Sequence, residues 1–415
     1  VKATDPVDAA DAADAADVVA GVDVVALGES MVTFLPTRPG RLADVPSFDR
    51  AIGGAESNVA CALAAAGHAV RWVSRAGTDG FGDHLVETVA SYGVDVRHVE
   101  RDPARPTGVY FRTAGDRATD AHEVAYYRAG SAASAMSART VDLAAVRAGR
   151  VLHLSGITAA LSGGCLDLLR ELTAPAADRP VLSFDVNYRR GLWGSGEGPE
   201  VLLELARRAD IVFVGEDEAE EAWGVTGGPG AVRALLPEPR VLVVKQGAAG
   251  AVAFVSGEGE GVGEGEGAGA VSWAPVAAGG AAADRHAPAR VPTPVREIPA
   301  ASASAAASAS ASASASAGTF EPAPVVDVVA PVGAGDAFAA GFLSGILRGL
   351  PLRRTLRLGH LFAAAALTAS ADLAPPPARD TADRLTVLDT GRWERLRLGP
   401  GWTEADPAEE EVRTP

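Results

Sequence analysis

The run Pro331-Val332-Gly333-Ala334-Gly335-Asp336-Ala337-Phe338 holds the residues of this chain best suited to chemistry. Val325–Val329 reads as a strand, Gly333–Gly335 as a tight turn, and the residues from Asp336 onward as a helix with small side chains on one face. Such a turn aims several unpaired backbone N–H groups at one point, and the helix dipole adds positive potential there. An anion, or a phosphoryl group gaining charge in transit, is stabilised at that point. Asp336 is then either a carboxylate base or the N-cap of its helix, and the turn alone does not separate the two.

A second candidate is Gly53-Gly54-Ala55-Glu56-Ser57-Asn58, which opens an Ala-rich stretch. Two glycines let the backbone approach a ligand closely, and an Asn side chain both donates to and accepts from hydroxyls. A flexible turn ahead of a helix is the plainer account. Gly28-Glu29-Ser30 adds a polar cluster where the first strand ends. The chain has no Gly-x-x-x-x-Gly-Lys-Ser/Thr run and no Gly-x-Gly-x-x-Gly after the first strand, which counts against a P-loop NTPase and a dinucleotide dehydrogenase.

The elements that must position these residues alternate. Short β-branched runs occur at Val22–Leu27, Val70–Arg75, Val151–Leu154, Val181–Val186, Ile211–Val214, Val241–Lys245 and Ala251–Val255. Between many of them lie helically spaced stretches, Asn58–Ala66, Phe81–Tyr92, Leu166–Leu172 and Val201–Arg208. This order predicts a mostly parallel sheet covered on both faces, with ligands at the carboxyl ends of its strands. Thr33–Ile52 and Thr107–Arg128 break the rhythm, as surface hairpins or as a small sheet over the cleft.

Three segments are too poor in large apolar side chains to offset the entropy of ordering them. They are an Asp/Ala tail at 1–20, a Gly/Glu to Ala/Ser insertion at 256–318, and an acidic end at 396–415, leaving 21–255 and 319–395 as the folded part. The net charge of −16 argues against nucleic acid bound through a broad basic surface. Cys61 and Cys165 lie far apart in Ala/Leu-rich contexts and read as buried thiols. The first residues show no basic segment followed by an apolar one, and no run of about 20 apolar residues is free of charges or breakers. The expectation is a cytoplasmic protein that contacts no membrane.

The two glycine motifs, in this order and this far apart, resemble the ribokinase-like carbohydrate kinases, whose signatures are Gly-Gly-x-x-x-Asn and Gly-Ala-Gly-Asp. Ser183-Phe184-Asp185-Val186-Asn187-Tyr188-Arg189-Arg190-Gly191-Leu192-Trp193 is similar to the Asp-x-Asn-x-Arg-x-x-Leu-Trp run of the 2-keto-3-deoxygluconate kinase branch. Pro106–Phe111 and Tyr126–Ser134 resemble that branch's two lid segments. The resemblance covers about residues 22–255 and 320–378.

It implies a three-layer α/β/α sandwich with a mostly parallel central sheet and a small β-sheet lid, whose strands fall within about 31–52 and 105–128. It also implies phosphoryl transfer from ATP with Mg²⁺ to the terminal hydroxyl of a keto-deoxy sugar acid. Asp336 would be the base, with Gly333, Ala334 and Gly335 holding the phosphoryl group. Gly53, Gly54 and Asn58 would hold the sugar, with Tyr110, Tyr126 and Arg128 closing over it and Arg189 between sugar and phosphates. Lys245, Gly247 and Gly250, from the family's Lys-x-Gly-x-x-Gly turn, would lie beside the nucleotide, and Glu218 would organise Mg²⁺. The resemblance further implies a homodimer through the lid.

The chain departs from the pattern in three places. Gly215 stands where the family usually has Asn, Ala330 stands where it usually has Asp, and the insertion replaces a short connection near the nucleotide. A kinase for a neutral sugar or a nucleoside, and a sensor on the same fold, are the alternatives.

Overall fold

The computed structural model describes residues 21–38, 40–113, 123–176, 179–194, 196–256, 318–369 and 373–404. The expected tail at 1–20, residues 257–317 of the insertion, and 405–415 lie outside the described residues.

Fifteen strands are described in chain order. They are β1 Val24–Leu27, β2 Met31–Pro36, β3 Phe48–Gly53, β4 Val70–Gly77, β5 Val99–Asp102, β6 Val109–Arg112, β7 Val124–Tyr127 and β8 Val151–Ser155. There follow β9 Val181–Asp185, β10 Ile211–Gly215, β11 Val241–Lys245, β12 Gly250–Val255, β13 Thr319–Pro322, β14 Val325–Val326 and β15 Arg397–Leu398. Nine of them form one sheet in the order β13-β12-β11-β10-β9-β8-β1-β4-β5. It is parallel from β11 through to β5, with β12 and β13 added antiparallel at one edge.

Helices cover both faces, so the strands read as unbroken apolar runs instead of alternating ones. On β11, Val241 and Val243 point into one core and Leu242 and Val244 into the other. The first core packs the helices Ala55–Ala65, Ala334–Leu347 and Leu352–Leu367; the second packs Gly163–Thr173 and Gly198–Arg208. Ala334–Leu347 and Leu352–Leu367 meet backbone to backbone, because a Cβ on Gly341 would stand only 2.5 Å from the Leu358 carbonyl oxygen. The helix that begins beside Asp336 is therefore anchored by close packing along its length.

The two regions that break the strand–helix rhythm build a separate four-stranded sheet, β3-β2-β6-β7. Its register sets Met31 opposite Gly53, Val32 opposite Val109 and Val109 opposite Tyr127. Phe34 stacks on Phe111 at 4.7 Å and meets Phe81 edge-on at 5.7 Å, which ties this sheet to the helix Gly80–Ser91.

Three sequence expectations need correction. Val325–Val329 is not a strand of the main sheet: only Val325 and Val326 are extended, and they pair with β15. Val329 and Ala330 instead donate to the Leu367 carbonyl oxygen, which ends the ladder before the turn. Residues 396–404 are not part of a loose tail, because β15 completes that pair and Leu396, Leu398 and Trp402 are buried. Three large apolar side chains are enough to dock the segment. Finally, Val99–Asp102 and Thr319–Pro322, which were not expected as strands, form the two edges of the large sheet.

Candidate active site

Parallel strands finish on one side of their sheet, so β1, β9 and β11 deliver Glu29, Asp185 and Lys245 to the same edge. There, under the small sheet, lies a cleft of about 590 Å³. Gly333, Ala334, Gly335 and Asp336 line its floor, Gly53, Gly54 and Asn58 one wall, and Tyr110, Tyr126 and Arg128 the roof. Arg189, Glu218 and Lys245 line it too. Gly247 and Gly250, expected beside the nucleotide, are not among its lining residues. They shape the β11–β12 turn, where Gly250 takes φ 139° and a side chain would meet the Glu321 carbonyl oxygen.

Gly333 takes φ 80°, a left-handed conformation that L side chains resist, and so turns the chain into the helix Ala334–Leu347. The first intrahelical bond runs from Ala337 N–H to the Gly333 carbonyl oxygen at 2.9 Å, which leaves the N–H groups ahead of it to face the cleft. Asp336 sits in that first turn and does not cap the helix. Its Oδ2 accepts from Asn58 Nδ2 at 2.9 Å. Burial pushes the Asp336 carboxyl up to about 7; the Asn58 bond opposes that rise, Asp185 adds to it, and Lys245 and Arg189 offset it. A carboxylate tuned in this way is poised as a base near neutral pH.

Asn58 thus has two roles. Its amide nitrogen is engaged by Asp336, while its Oδ1 is buried without a hydrogen-bond partner among the described residues and is available to a ligand hydroxyl. The helix that carries it is held from below by Glu56, a buried residue that accepts from Ser155 Oγ at 2.7 Å and Thr158 Oγ1 at 2.6 Å. Burial keeps the Glu56 carboxyl above its ordinary value.

The polar groups around Asp336 form a short array. Lys245 Nζ lies 3.2 Å from both Asp185 oxygens. Burial works against the Lys245 charge, yet Asp185, Glu218 and Asp336 outweigh it and hold the ammonium above its usual value. Glu218 Oε2 accepts from Gly215 N–H at 2.9 Å, while its Oε1 stands 3.7 Å from Arg189 Nη1. Burial is the main reason its carboxyl is raised. Arg189 is half exposed and donates to its neighbour Tyr188; it does not pair with Asp185, which belongs to Lys245. Among the described residues no group of three or more His, Cys, Asp or Glu side chains could cage a metal ion.

Several cleft residues have no role that their sequence context alone assigns. Asn187 lines the cleft at φ 40°, a strained value for a non-glycine residue of the kind that collects at functional sites. The Asp-x-Asn-x-Arg spacing was its signal. Arg112 is buried and lines the roof, two residues beyond Tyr110 on β6, where strand alternation alone would have put it on the same face. Glu29 receives Arg128, whose Nε donates to Glu29 Oε2 at 2.7 Å. No local pattern connects those two positions.

Comparison with known proteins gives a consistent picture. The family model described as "pfkB family carbohydrate kinase" matches residues 22–266 and 302–379. A 2-dehydro-3-deoxygluconokinase of Bacillus subtilis (strain 168) is 29% identical over 363 residues, covering 86% of this chain and 94% of that one. A 2-dehydro-3-deoxygluconokinase of Thermoproteus tenax is 33% identical over 248 residues, 57% of this chain and 73% of that one. Among solved structures, a putative ribokinase II from E. coli in complex with ATP and Mg²⁺ superposes with a TM-score of 0.66 at 20% identity, over 88% of this chain and 98% of that one.

Proposed function

Because the chain belongs to the pfkB family of carbohydrate kinases, we propose that it transfers the γ-phosphoryl group of ATP to the terminal hydroxyl of 2-keto-3-deoxygluconate or a close keto-deoxy sugar acid, forming the 6-phosphate. The observation that carries this reading is Asp336: a carboxyl raised to about 7, set in a helix-start turn of free N–H groups and steered by Asn58. The sugar-acid assignment rests on the arginines that line the cleft and on the names of the relatives.

In this reading Asp336 takes the proton of the sugar hydroxyl as its oxygen bonds to the γ-phosphorus and the bond to the leaving ADP breaks. The N–H groups of Ala334 and Gly335 would face the equatorial oxygens of the transferring group, where charge gathers. Lys245 would hold phosphate oxygens as a fixed positive charge, and Arg189, half exposed at the cleft edge, would swing between sugar and phosphates. The roof would exclude water, which would otherwise accept the phosphoryl group.

Mg²⁺ bound to the phosphates would neutralise their charge. A hard cation carried on phosphates needs only one or two protein carboxylates, and Glu218, with one oxygen bonded to Gly215 N–H and the other only loosely engaged by Arg189, fits that need.

The test is ADP release with ATP and Mg²⁺ across 2-keto-3-deoxygluconate, its galactonate epimer, fructose, ribose and adenosine, with Asp336→Asn alongside. Turnover on a keto-deoxy acid that falls by about 10²- to 10⁴-fold in the variant supports the reading; turnover on neutral sugars alone removes the acid. A neutral ketose is the second reading, favoured by the Glu29 carboxylate that already matches the Arg128 charge. A homodimer through β7, whose Tyr126 and Tyr127 are exposed, belongs to the same proposal and is read by sedimentation.

A further inference from the structure

Glu29 lies two residues past β1 with its side chain fully buried, and its carboxylate meets the segment that follows β7 and stands against Gly108, just ahead of β6. Its Oε2 accepts from Arg128 Nε at 2.7 Å and also pairs with Arg128 Nη2; its Oε1 accepts from Ser131 Oγ at 2.5 Å. A Cβ on Gly108, just ahead of β6, would stand 3.0 Å from Glu29 Oε1, and one on Gly54 would stand 2.3 Å from the Glu29 carbonyl oxygen. At Gly108 the Glu29 carboxylate, together with Met31, fills the space a side chain would need; at Gly54 the backbone of Glu29 and Ser30 does so.

A guanidinium offers five N–H donors in a rigid fork. Glu29 takes the Nε and Nη2 edge and so leaves Nη1 to the cleft that Arg128 lines. The same guanidinium lies 5.8 Å from the centre of the Tyr126 ring, and Tyr126 lies 5.5 Å from Tyr110. One buried carboxylate therefore stands behind an arginine and two tyrosines of the roof.

We propose that Glu29 is a positioning residue of the acceptor site: it fixes the Arg128 fork and, through it, the Tyr126–Tyr110 pair, and thereby sets affinity for the sugar and not for ATP. This rests on the reading of the cleft as the acceptor-sugar site. Without Glu29 the nearly buried Arg128 charge is uncompensated and turns away toward solvent, and each sugar must then order the roof at its own cost.

The experiment compares Glu29→Ala, Glu29→Gln, Arg128→Ala and Glu29→Ala/Arg128→Ala in the full chain, on the acceptor that the unsubstituted protein turns over best. In Glu29→Ala the acceptor KM rises by about tenfold or more while the ATP KM stays within about twofold, a split that general loosening of the fold does not produce. The double variant matches Arg128→Ala, because the carboxylate acts through that arginine. Glu29→Gln keeps an oxygen for the fork and shows the same split at smaller size, at least about threefold, and it carries the test if the alanine variant does not fold.

An unchanged acceptor KM, a parallel rise of both KM values, or additive effects in the double variant overturns the proposal. If the unsubstituted chain turns over no sugar at all, the acceptor-site reading fails and this proposal fails with it. Turnover by the unsubstituted chain with no split in either Glu29 variant overturns the proposal alone.

Discussion

Asn58 Nδ2 donates to Asp336 Oδ2 at 2.9 Å, joining two helix starts that lie 278 residues apart in the chain. Burial drives Asp336 toward its neutral form and the Asn58 bond favours the charged one, so the carboxyl comes to rest at about 7.

A base must be ionised, so turnover should rise with pH through a limb near 7. Asn58→Ala removes a donor to the charged form, raises the Asp336 value further, and moves the limb to higher pH. At pH 7 the rate should fall roughly tenfold, the worth of one hydrogen bond to a charge. The stability of the folded chain carries the same signature: Asp336 holds its proton more tightly folded than unfolded. Its contribution is complete below the ordinary carboxylate range and is lost as the pH rises through about 7. Rate profiles and melting curves between pH 5 and 9 check both, and an unmoved limb in Asn58→Ala counts against the assignment.

Lys245 and Asp185 form a pair in which the Asp185 side chain is 3% exposed. Lys245→Met leaves that carboxylate uncompensated and should cost about 3–5 kcal/mol of stability. Asp185→Asn in the same chain should recover most of the loss, because neither charge then remains, yet turnover should stay low since Lys245 is gone from the cleft. Denaturant titrations of the two single variants and the double variant measure the coupling; simple additivity means the pair is weaker than its geometry indicates.

Gly54 caps the Asn58 helix in extended backbone that any residue could adopt, so its constraint is space. Gly54→Ala sets a Cβ 2.3 Å from the Glu29 carbonyl oxygen and 2.7 Å from the Ser30 Cα, both backbone positions that cannot give way cheaply. Overpacking of this kind costs about 1–3 kcal/mol. Displacement of the helix start should also lower kcat/KM by about 10². A variant with unchanged kinetics would show that the helix start tolerates the shift.

The insertion connects neighbours: β12 and β13 pair antiparallel, with Ala253 opposite Thr319. Their register comes from the ladder, and the entropy of loop closure grows only slowly with length. Replacing residues 257–317 with a short Gly/Ser linker should therefore leave the melting temperature within a few degrees and turnover on the best acceptor within about twofold. A large loss of ATP affinity alone would assign the insertion a part in nucleotide binding.

The sequence by itself determined the features that a few consecutive residues create. The β-branched runs mark buried strands because both faces of the sheet are covered, and Gly333-Ala334-Gly335-Asp336 marks a helix start because glycine adopts without strain the φ of 80° that Gly333 takes there. The resemblance of the two glycine motifs to a kinase family was legible in the same way. Tertiary structure decided what depends on residues distant in the chain. That Arg128 faces Glu29, that Arg189 does not pair with Asp185, and that residues 396–404 dock as β15 and a buried Trp402 are outcomes of packing. The rise of Asp336 to about 7 is of the same kind, since desolvation is set by everything that surrounds a carboxyl and by nothing in the four residues that announce it.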